Sequence, residues 1–366
     1  MTQRRIPAVY MRGGTSRCLV FHERDLPPAG RDRDAILLAA LGSPDPSGRQ
    51  LDGLGGGISS LSKAVIIGPS TMPGADVDYT FAQIEVRKPE VDYTGNCGNC
   101  SSAVGPFAIE ERLVPAREGE TVVRIHNTNT KKLIVARVPV QGGEPRVRGD
   151  FDLPGVAGLG ARIALDFVEP GGAGTGRLLP TGRPRDTVEG VEASLVDASI
   201  PMVFVRARDL GLQGTESPTA MDGDAALCAR LEAIRVVAAK LMGISGSAAT
   251  PKIAVVTAPV PFTALDGVAY DGGASDVVGR AISMGNCHRA FPLTSSMCLA
   301  VAARIEGSLV HEVSTAKPGA DVRLGHPSGV LPLDAAVTRP GGDYHAERVT
   351  VYRTARRLME GWVRIP

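Results

Sequence analysis

Two segments of the 366-residue chain, about half a chain apart, share one sequence pattern. In residues 97–105 and again in residues 293–301, a turn of small polar residues leads into an apolar helix rich in Ala and Val. A helix that is apolar on all sides is normally buried. Since each helix follows a strand-rich stretch of comparable length, we interpret the pattern as an internal duplication, with one central helix in each half inside a wrapping of strands.

The other predicted elements are short. With 44 glycines, 27 prolines and only 4% aromatic residues, the chain is rich in turns and does not resemble a helical bundle. The central helices are predicted over 100–112 and 296–305, and further helices over 34–41 and 225–241. Apolar and alternating runs predict strands over 6–11, 18–21, 63–67, 77–86, 121–125, 132–138, 162–168, 203–206, 253–256 and 348–352.

The Gly- and Pro-rich stretch 171–184 is the best candidate for a linker. We therefore expect an N-terminal domain over residues 1–185 and a C-terminal domain over residues 186–366. The last strand is free to pack back on the first domain. Two halves of this size agree with the roughly 150 residues of a typical domain.

Charge and hydropathy exclude several classes of protein. Lys and Arg number 40 against 39 Asp and Glu, which argues against a nucleic-acid partner. No apolar run approaches the ~20 residues of a membrane span, and the charged start lacks the apolar region of a secretory signal. We therefore expect a cytoplasmic protein whose six cysteines are reduced, as small buried residues or reactive thiols.

The sharpest motif is Gly-Asn-Cys-Gly-Asn-Cys at 95–100. Gly and Asn favour a tight turn, so Cys97 is expected near a helix N-terminus, where the helix dipole would lower the pKa of a thiol toward neutrality. The N–H groups of Gly98 and Asn99 could hold a carboxylate. An inert pair of buried cysteines is the alternative. A zinc site would need a second pair of ligands at suitable spacing, for which Cys287-His288 is a poor match.

Two glycine-rich loops add candidates for binding an anion. The turn at 12–17 carries Thr15, Ser16 and Arg17, although an ordinary hairpin turn has the same composition. The loop at 52–63 carries Ser59 and Ser60, and its four glycines would let the backbone approach a ligand closely. A strand follows this loop, whereas a dinucleotide-binding loop would be followed by a helix.

Lys63 stands where the second loop meets a predicted strand. Lysine usually faces solvent. The adjacent apolar run at 65–67, however, indicates a mostly buried strand, so we expect Lys63 to be partly desolvated and usable as a general base.

Together these motifs resemble those of the PrpF family, which includes 2-methylaconitate isomerase, methylitaconate isomerase and the 4-oxalomesaconate isomerases and tautomerases. The matching segments include Met-Arg-Gly-Gly-Thr-Ser at 11–16, Asp-Gly-Leu-Gly-Gly-Gly at 52–57, Asp-Val-Asp-Tyr at 76–79 and Leu-Pro-Thr-Gly at 179–182. The resemblance extends over nearly the whole chain.

The family is similar in fold to diaminopimelate epimerase, which implies an α+β protein with two pseudo-symmetric halves, each a β-barrel-like sheet wrapped around a central α-helix. In that epimerase each half supplies one cysteine at the start of its helix. Here Cys97 matches the first position, but the second falls at Leu293 or Thr294, and Cys298 lies about one turn further inside. PrpF-type isomerases instead pair the first cysteine with a lysine, which corresponds to Lys63.

The resemblance thus implies an isomerase that catalyses an allylic 1,3-proton shift, by C=C migration or cis–trans isomerisation, in an unsaturated di- or tricarboxylic acid. Lys63 and Cys97 are the expected acid/base pair, and their order of action stays open. No metal or organic cofactor is expected; the partner is the small-molecule substrate, and a homodimer is compatible with the sequence. Further substrate-binding candidates in the second half are Arg289, Thr294, Ser295 and Ser296.

Two alternatives remain. A cofactor-independent amino-acid racemase or epimerase would need two thiols facing one carbon. A non-catalytic carboxylate-binding accessory protein would need neither Lys63 nor Cys97 for its role.

Overall fold

The computed structural model describes residues 3–245, 247 and 250–366. These fall into two compact units. Unit 1 runs up to Phe167 and also takes in Tyr352–Pro366, and unit 2 is Val168–Val351. The division thus lies earlier in the chain than residue 185, where the sequence predicts the boundary.

The predicted linker 171–184 is folded into unit 2. One carboxylate oxygen of Asp197 accepts hydrogen bonds from the backbone N–H groups of Gly174 and Thr175 at 2.8 and 2.7 Å. The N–H of Gly172 donates to the Asp197 carbonyl at 2.8 Å. Glycine is common both in flexible linkers and in tight turns. Here the Gly-rich stretch forms a tightly turned loop rather than a linker.

Unit 1 is a curved sheet around one helix. Its helices are α1 (Arg31–Leu41) and α2 (Gly98–Glu110). Its strands are β1 (Arg4–Gly13), β2 (Ser16–His22), β3 (Lys63–Pro69), β4 (Val77–Ile84), β5 (Val91–Asp92), β6 (Gly119–Asn127), β7 (Lys132–Gln141), β8 (Glu144–Pro145), β9 (Phe151–Asp152), β10 (Leu159–Gly160) and β11 (Ile163–Val168).

Unit 2 has the same plan. Its helices are α3 (Pro218–Gly223), α4 (Ala225–Leu241), α5 (Leu293–Ala302) and α6 (Leu309–Val313). Its strands are β12 (Asp186–Val188), β13 (Val191–Asp197), β14 (Pro201–Arg206), β15 (Lys252–Thr257), β16 (Phe262–Thr263), β17 (Ala269–Tyr270), β18 (Val277–Ser283), β19 (Asn286–Cys287), β20 (Val322–His326), β21 (Gly329–Thr338) and β22 (His345–Arg353), the last two residues of which belong to unit 1. The final strand, β23 (Ala355–Ile365), pairs antiparallel with β1.

The strand order explains how α2 becomes buried. In unit 1 the sheet runs β23-β1-β2-β3-β4-β6-β7-β11, with parallel pairs at β2–β3 and β4–β6. Helix α2 contacts strands from both sides of this order, so the sheet wraps around it. Its packing is close: a Cβ added at Gly105 would lie 2.7 Å from a methyl of Val138.

The pairings of unit 2 repeat those of unit 1. The order β13-β14-β15-β18-β20-β21 again has parallel pairs at β14–β15 and β18–β20. A local bond pattern repeats as well. The N–H of Arg124 donates to the Asp76 carboxylate at 2.7 Å, and the N–H of Arg323 donates to that of Asp276 at 2.8 Å. The predicted duplication and fold class are confirmed.

Outer helices cover the other face of each sheet. In unit 1, Ile36 and Leu37 of α1 pack with Ala64 and Ile66 of β3. In unit 2, apolar side chains of α4 pack with Ile253 and Val255 of β15. Alternate residues of β3 and β15 therefore face opposite sides of their sheets. Among the described residues, no helix is long and apolar enough to cross a membrane.

Candidate active site

Cys97 is the N-cap residue of α2. Its backbone is extended, with φ −116° and ψ 99°, and its Sγ accepts a hydrogen bond from the N–H of Cys100 at 3.4 Å. The Tyr79 hydroxyl donates to the Cys97 carbonyl at 3.3 Å. The Gly-Asn-Cys-Gly-Asn turn thus places a half-buried thiol at the first turn of a buried helix, as the sequence predicts.

The expected lowering of the Cys97 pKa is wrong. The side-chain hydrogen bond with Cys100 and burial raise the pKa of the Cys97 thiol well above its ordinary value, although the positive charge of Lys63 acts in the opposite direction. The helix N-terminus offers the sulfur one long N–H contact, which is too weak to offset burial beside a second buried thiol. At neutral pH Cys97 is therefore a protonated thiol that can donate a proton.

Lys63 is the first residue of β3 and is only 8% exposed, so its predicted burial is confirmed. Its Nζ donates to Oε1 of Gln83 at 2.6 Å and lies 4.9 Å from the centre of the Phe81 ring. Gln83 is itself held, since its Nε2 donates to the carbonyls of Ser62 and Ser59 at 2.9 and 3.1 Å. Within the described residues Lys63 has no carboxylate within 4 Å, and its charge acts on the thiols of Cys97 and Cys100.

The glycine turn between β1 and β2 lies against the start of α2. A Cβ at Gly13 would be 2.5 Å from the Asn99 carbonyl, and one at Gly14, whose φ is +52°, would be 2.3 Å from Oδ1 of Asn99. Glycine is therefore required for this approach. The turn brings Thr15 into contact with Asn99, whose Nδ2 donates to the Thr15 hydroxyl at 3.0 Å.

Ser16 and Arg17 leave the turn in different surroundings. Ser16 is buried, whereas Arg17 is half-buried and lies over the ring of Tyr10 at 5.5 Å. The Arg17 guanidinium also lies 3.2 Å from the place a Cβ would take at Gly56. Arg17 therefore contacts the second glycine-rich loop.

That second loop is braced by Gln50. Its Nε2 donates to the Ser62 hydroxyl at 2.7 Å, and its Oε1 accepts from the N–H of Gly57 at 2.9 Å. Ser59 is exposed and Ser60 half-buried. Gln83 links this loop to Lys63, because it donates to the Ser59 carbonyl and accepts from the Lys63 Nζ.

Four sequence candidates lie in unit 2. Helix α5 begins at Leu293, after Pro292, and no side chain caps it. Thr294 is half-buried. Ser296 is buried and donates to the Leu293 carbonyl at 2.8 Å. Ser295 is buried, and its hydroxyl has no partner in the described part of the chain.

Two further positions of unit 2 are Arg289 and Cys298. Arg289 is exposed, and only its backbone carbonyl, which accepts from the Ser328 hydroxyl at 2.6 Å, is engaged within the described residues. Cys298 is buried inside α5, with its Sγ 3.4 Å from the Val196 carbonyl, and burial raises its pKa well above the ordinary value. This agrees with the expectation that Cys298 is placed too far inside its helix.

The sequence does not predict two residues that contact the candidate site. Gln83 fixes the Lys63 ammonium, and Arg353 donates from Nε to Oδ1 of Asn99 at 3.0 Å. Neither residue lies in a motif with a recognisable chemistry. The strand register, with Lys63 opposite Gln83, could have identified the first residue, but no local signal indicates the second.

Comparisons with known proteins find relatives along the whole length of the chain. The chain is 43% identical to a 3-methylitaconate isomerase of Eubacterium barkeri over 99% of this chain and 97% of that protein. It is 40% identical to a 2-methyl-aconitate isomerase of Cupriavidus necator over 100% and 98%. It also superimposes on the crystal structure of a methylitaconate-delta-isomerase with a TM-score of 0.93, at 42% identity over 100% of this chain and 96% of that one.

A more distant likeness concerns the fold alone. A hydroxyproline epimerase of Agrobacterium vitis matches with a TM-score of 0.52 at 15% identity, over 99% of this chain and 93% of that one. The model of the family described as PrpF protein matches residues 3–366. With relatives of about 40% identity along its whole length, the chain belongs to the PrpF family.

Proposed function

We propose that this protein catalyses an allylic 1,3-proton shift in an unsaturated di- or tricarboxylic acid, with Lys63 and Cys97 as the acid/base pair. The observation that carries the proposal is a buried lysine that has no carboxylate partner in the described chain and whose charge acts on the Cys97 thiol at a helix N-terminus. The isomerase class and the carboxylate substrates of the relatives support it.

The raised pKa of Cys97 supports a division of roles. Lys63 would take a proton at Nζ from the carbon next to the alkene, and the C–H electron pair would move into a dienolate. Cys97 would then deliver its S–H proton to the far carbon of the allylic system. The Lys63 ammonium would return a proton to the Cys97 thiolate, so each turnover restores both groups.

The first turn of α2 is suited to the negative charge of the intermediate. N–H groups at the start of a helix point toward a bound anion, and the helix dipole favours negative charge there. Gly98 and Asn99 provide this turn, and Thr15 contacts Asn99 beside it. We assign the carboxylate of the substrate to this position.

Proton NMR in D₂O on a panel of 3-methylitaconate, 2-methylaconitate and 4-oxalomesaconate tests the proposal. We expect loss of the vinylic or allylic signals of at least one acid as its isomer forms. If wild-type protein converts none of the acids and instead racemises a proline derivative, the epimerase alternative replaces the proposal. If it binds the acids but converts none, the accessory-protein alternative does.

We also propose that the protein is cytoplasmic. All six cysteines are free thiols, which fits a reducing cytoplasm, and cell fractionation measures this. A homodimer stays a prediction that light scattering of the purified protein measures.

A further inference from the structure

Arg353 is a buried cation without a carboxylate. It is the last residue of β22, lies in unit 1 and is only 6% exposed. Its Nε donates to Oδ1 of Asn99 at 3.0 Å, and its Nη1 donates to the Tyr352 carbonyl at 2.7 Å. In the part of the chain that the structure describes, no Asp or Glu lies within 4 Å of its guanidinium. The second N–H of Nη1 and both N–H groups of Nη2 therefore have no hydrogen-bond acceptor among the described residues.

Among the other buried arginines, Arg206 and Arg235 are paired with carboxylates, whereas Arg280 donates to the backbone carbonyls of Glu216 and Gly279. Arg206 contacts the carboxylates of Glu192, Asp209 and Glu312, and Arg235 contacts that of Glu232. Burying a charge is costly unless it is paired and hydrogen-bonded. Arg353 has no such carboxylate among its described neighbours and contacts Asn99 in the first turn of α2, so a carboxylate bound at that turn would complete its pairing.

Arg353 lies beside the first turn of α2, close to Asn99, Gly14 and Cys97. Asn99 links it to the first turn of α2, and its Cδ lies 3.0 Å from the position a Cβ would take at Gly14. Cys97 is near enough for a negative charge on its sulfur to raise the pKa of the guanidinium. Arg353 is thus held at the same helix end as the proposed proton donor.

Its charge is retained at neutral pH. Burial lowers the pKa of Arg353 to about 10, while the nearby Cys97 acts in the opposite direction. The guanidinium is consequently charged at pH 7, and its planar fork suits a carboxylate, which it can bind with two parallel N–H···O bonds.

We propose that Arg353 binds the substrate carboxylate attached to the carbon that loses its proton. This inference rests on the proposed allylic proton shift and names the group that receives the negative charge. As the dienolate forms, charge moves onto the oxygens of this carboxylate, so the contact with Arg353 strengthens in the transition state. Asn99 is the positioning residue, because it fixes the guanidinium through Nε.

The first test is Arg353→Gln, with Arg353→Lys as a second variant that keeps the charge but loses the fork. On an acid that the wild type converts, we expect kcat/KM to fall about 100-fold or more in Arg353→Gln, the usual effect of removing one preorganised donor. Arg353→Lys should recover part of that loss. Arg235→Gln, a matched buried arginine in unit 2, should lower Tm and leave kcat/KM within about threefold.

A monoester of the substrate separates binding from a structural role. Methylation of the carboxylate removes its negative charge, so the wild type should prefer the free acid to the monoester by about 100-fold, whereas Arg353→Gln should show a preference of about threefold or less. If Arg353→Gln does not fold, Arg353→Lys must show a reduced preference. An unchanged preference in a folded variant overturns the inference. Failure of the wild type on every acid overturns the proposed function instead.

Discussion

Units 1 and 2 share a scaffold and differ in the groups it presents. Lys63 opens β3 and Lys252 opens β15, and each strand runs parallel to the second strand of the preceding hairpin. At the helix that follows, unit 1 has Cys97 as N-cap and unit 2 has Pro292. Both units therefore have a lysine at the start of the equivalent strand, but only unit 1 has a cysteine at the N-cap of its central helix.

The surroundings of the two lysines differ as well. Lys63 is buried and hydrogen-bonded to Gln83. Lys252 is half-buried, and burial lowers its pKa. If the proton shift requires a lysine and a thiol together, unit 1 carries it alone, and matched substitutions in unit 2 serve as controls.

The largest expected effect is at the lysines. Lys63→Met should lower kcat by about 10³- to 10⁴-fold, since it removes an acid/base group. Lys252→Met should leave kcat within about threefold, because unit 2 has no thiol at its helix start. Steady-state kinetics of both variants measures the difference, and equal losses would show that the two units contribute alike.

The cysteines give the next largest effect. Cys97→Ser should lower kcat by about 10²- to 10³-fold, because a hydroxyl is a much weaker acid than a thiol. Cys298→Ser places a hydroxyl in the core beside the Val196 carbonyl, so it should change Tm and leave kcat within about threefold. A fully active Cys97→Ser would remove the thiol from the mechanism.

The pH profile should report the protonated thiol. Hydrogen bonding to Cys100 and burial hold the pKa of Cys97 well above its ordinary value. A proton donor works below its pKa, so kcat should persist at pH 9 and fall about tenfold per pH unit once pH passes that pKa. A rise of kcat between pH 7 and 9 that Cys97→Ser abolishes would instead indicate a thiolate base.

Stability gives the smallest expected difference. Burial raises the pKa of Asp276, but hydrogen bonds from Arg323 outweigh this and the net pKa is lowered. A carboxyl whose pKa is lower when folded stabilises the protein above its unfolded pKa, and that contribution is lost as pH falls through the folded value. Asp276→Asn should therefore cost about 1–2 kcal/mol at pH 7 and less below about pH 4.

Asp76 is the matched residue of unit 1. It accepts the equivalent backbone bond from Arg124 but makes no ion pair with a described residue, so Asp76→Asn should cost less than Asp276→Asn. Urea unfolding at pH 7 and pH 3.5 measures both. Equal costs at pH 7 would show that the Arg323 guanidinium adds nothing.

The sequence predicts most of what is local. Helix α4 has the predicted bounds 225–241, and the two central helices lie where the pattern places them. Their starts, however, precede the predicted ones: α2 begins at Gly98 and α5 at Leu293. Small polar residues form the first turns of these helices, and the sequence alone indicates a preceding loop equally well.

Properties of the site that depend on contacts between residues far apart in the sequence could not be predicted. The raised pKa of Cys97 follows from its hydrogen bond with Cys100 and from burial, and the Cys100 thiol in turn interacts with that of Cys18 in β2. Arg353 contacts Asn99 across 254 positions of sequence. Neither contact leaves a local pattern, because chain folding alone brings these residues together.

Deuterium exchange in D₂O, followed by NMR on an acid that the wild type converts, tests the central claim most directly. Wild-type protein should form the isomer with deuterium at the carbon that gains a proton. Cys97→Ser should exchange the allylic proton of the substrate faster than it forms isomer, and Lys63→Met should do neither. Allylic exchange by Lys63→Met at the wild-type rate would contradict the assignment of unit 1 as the site of proton transfer.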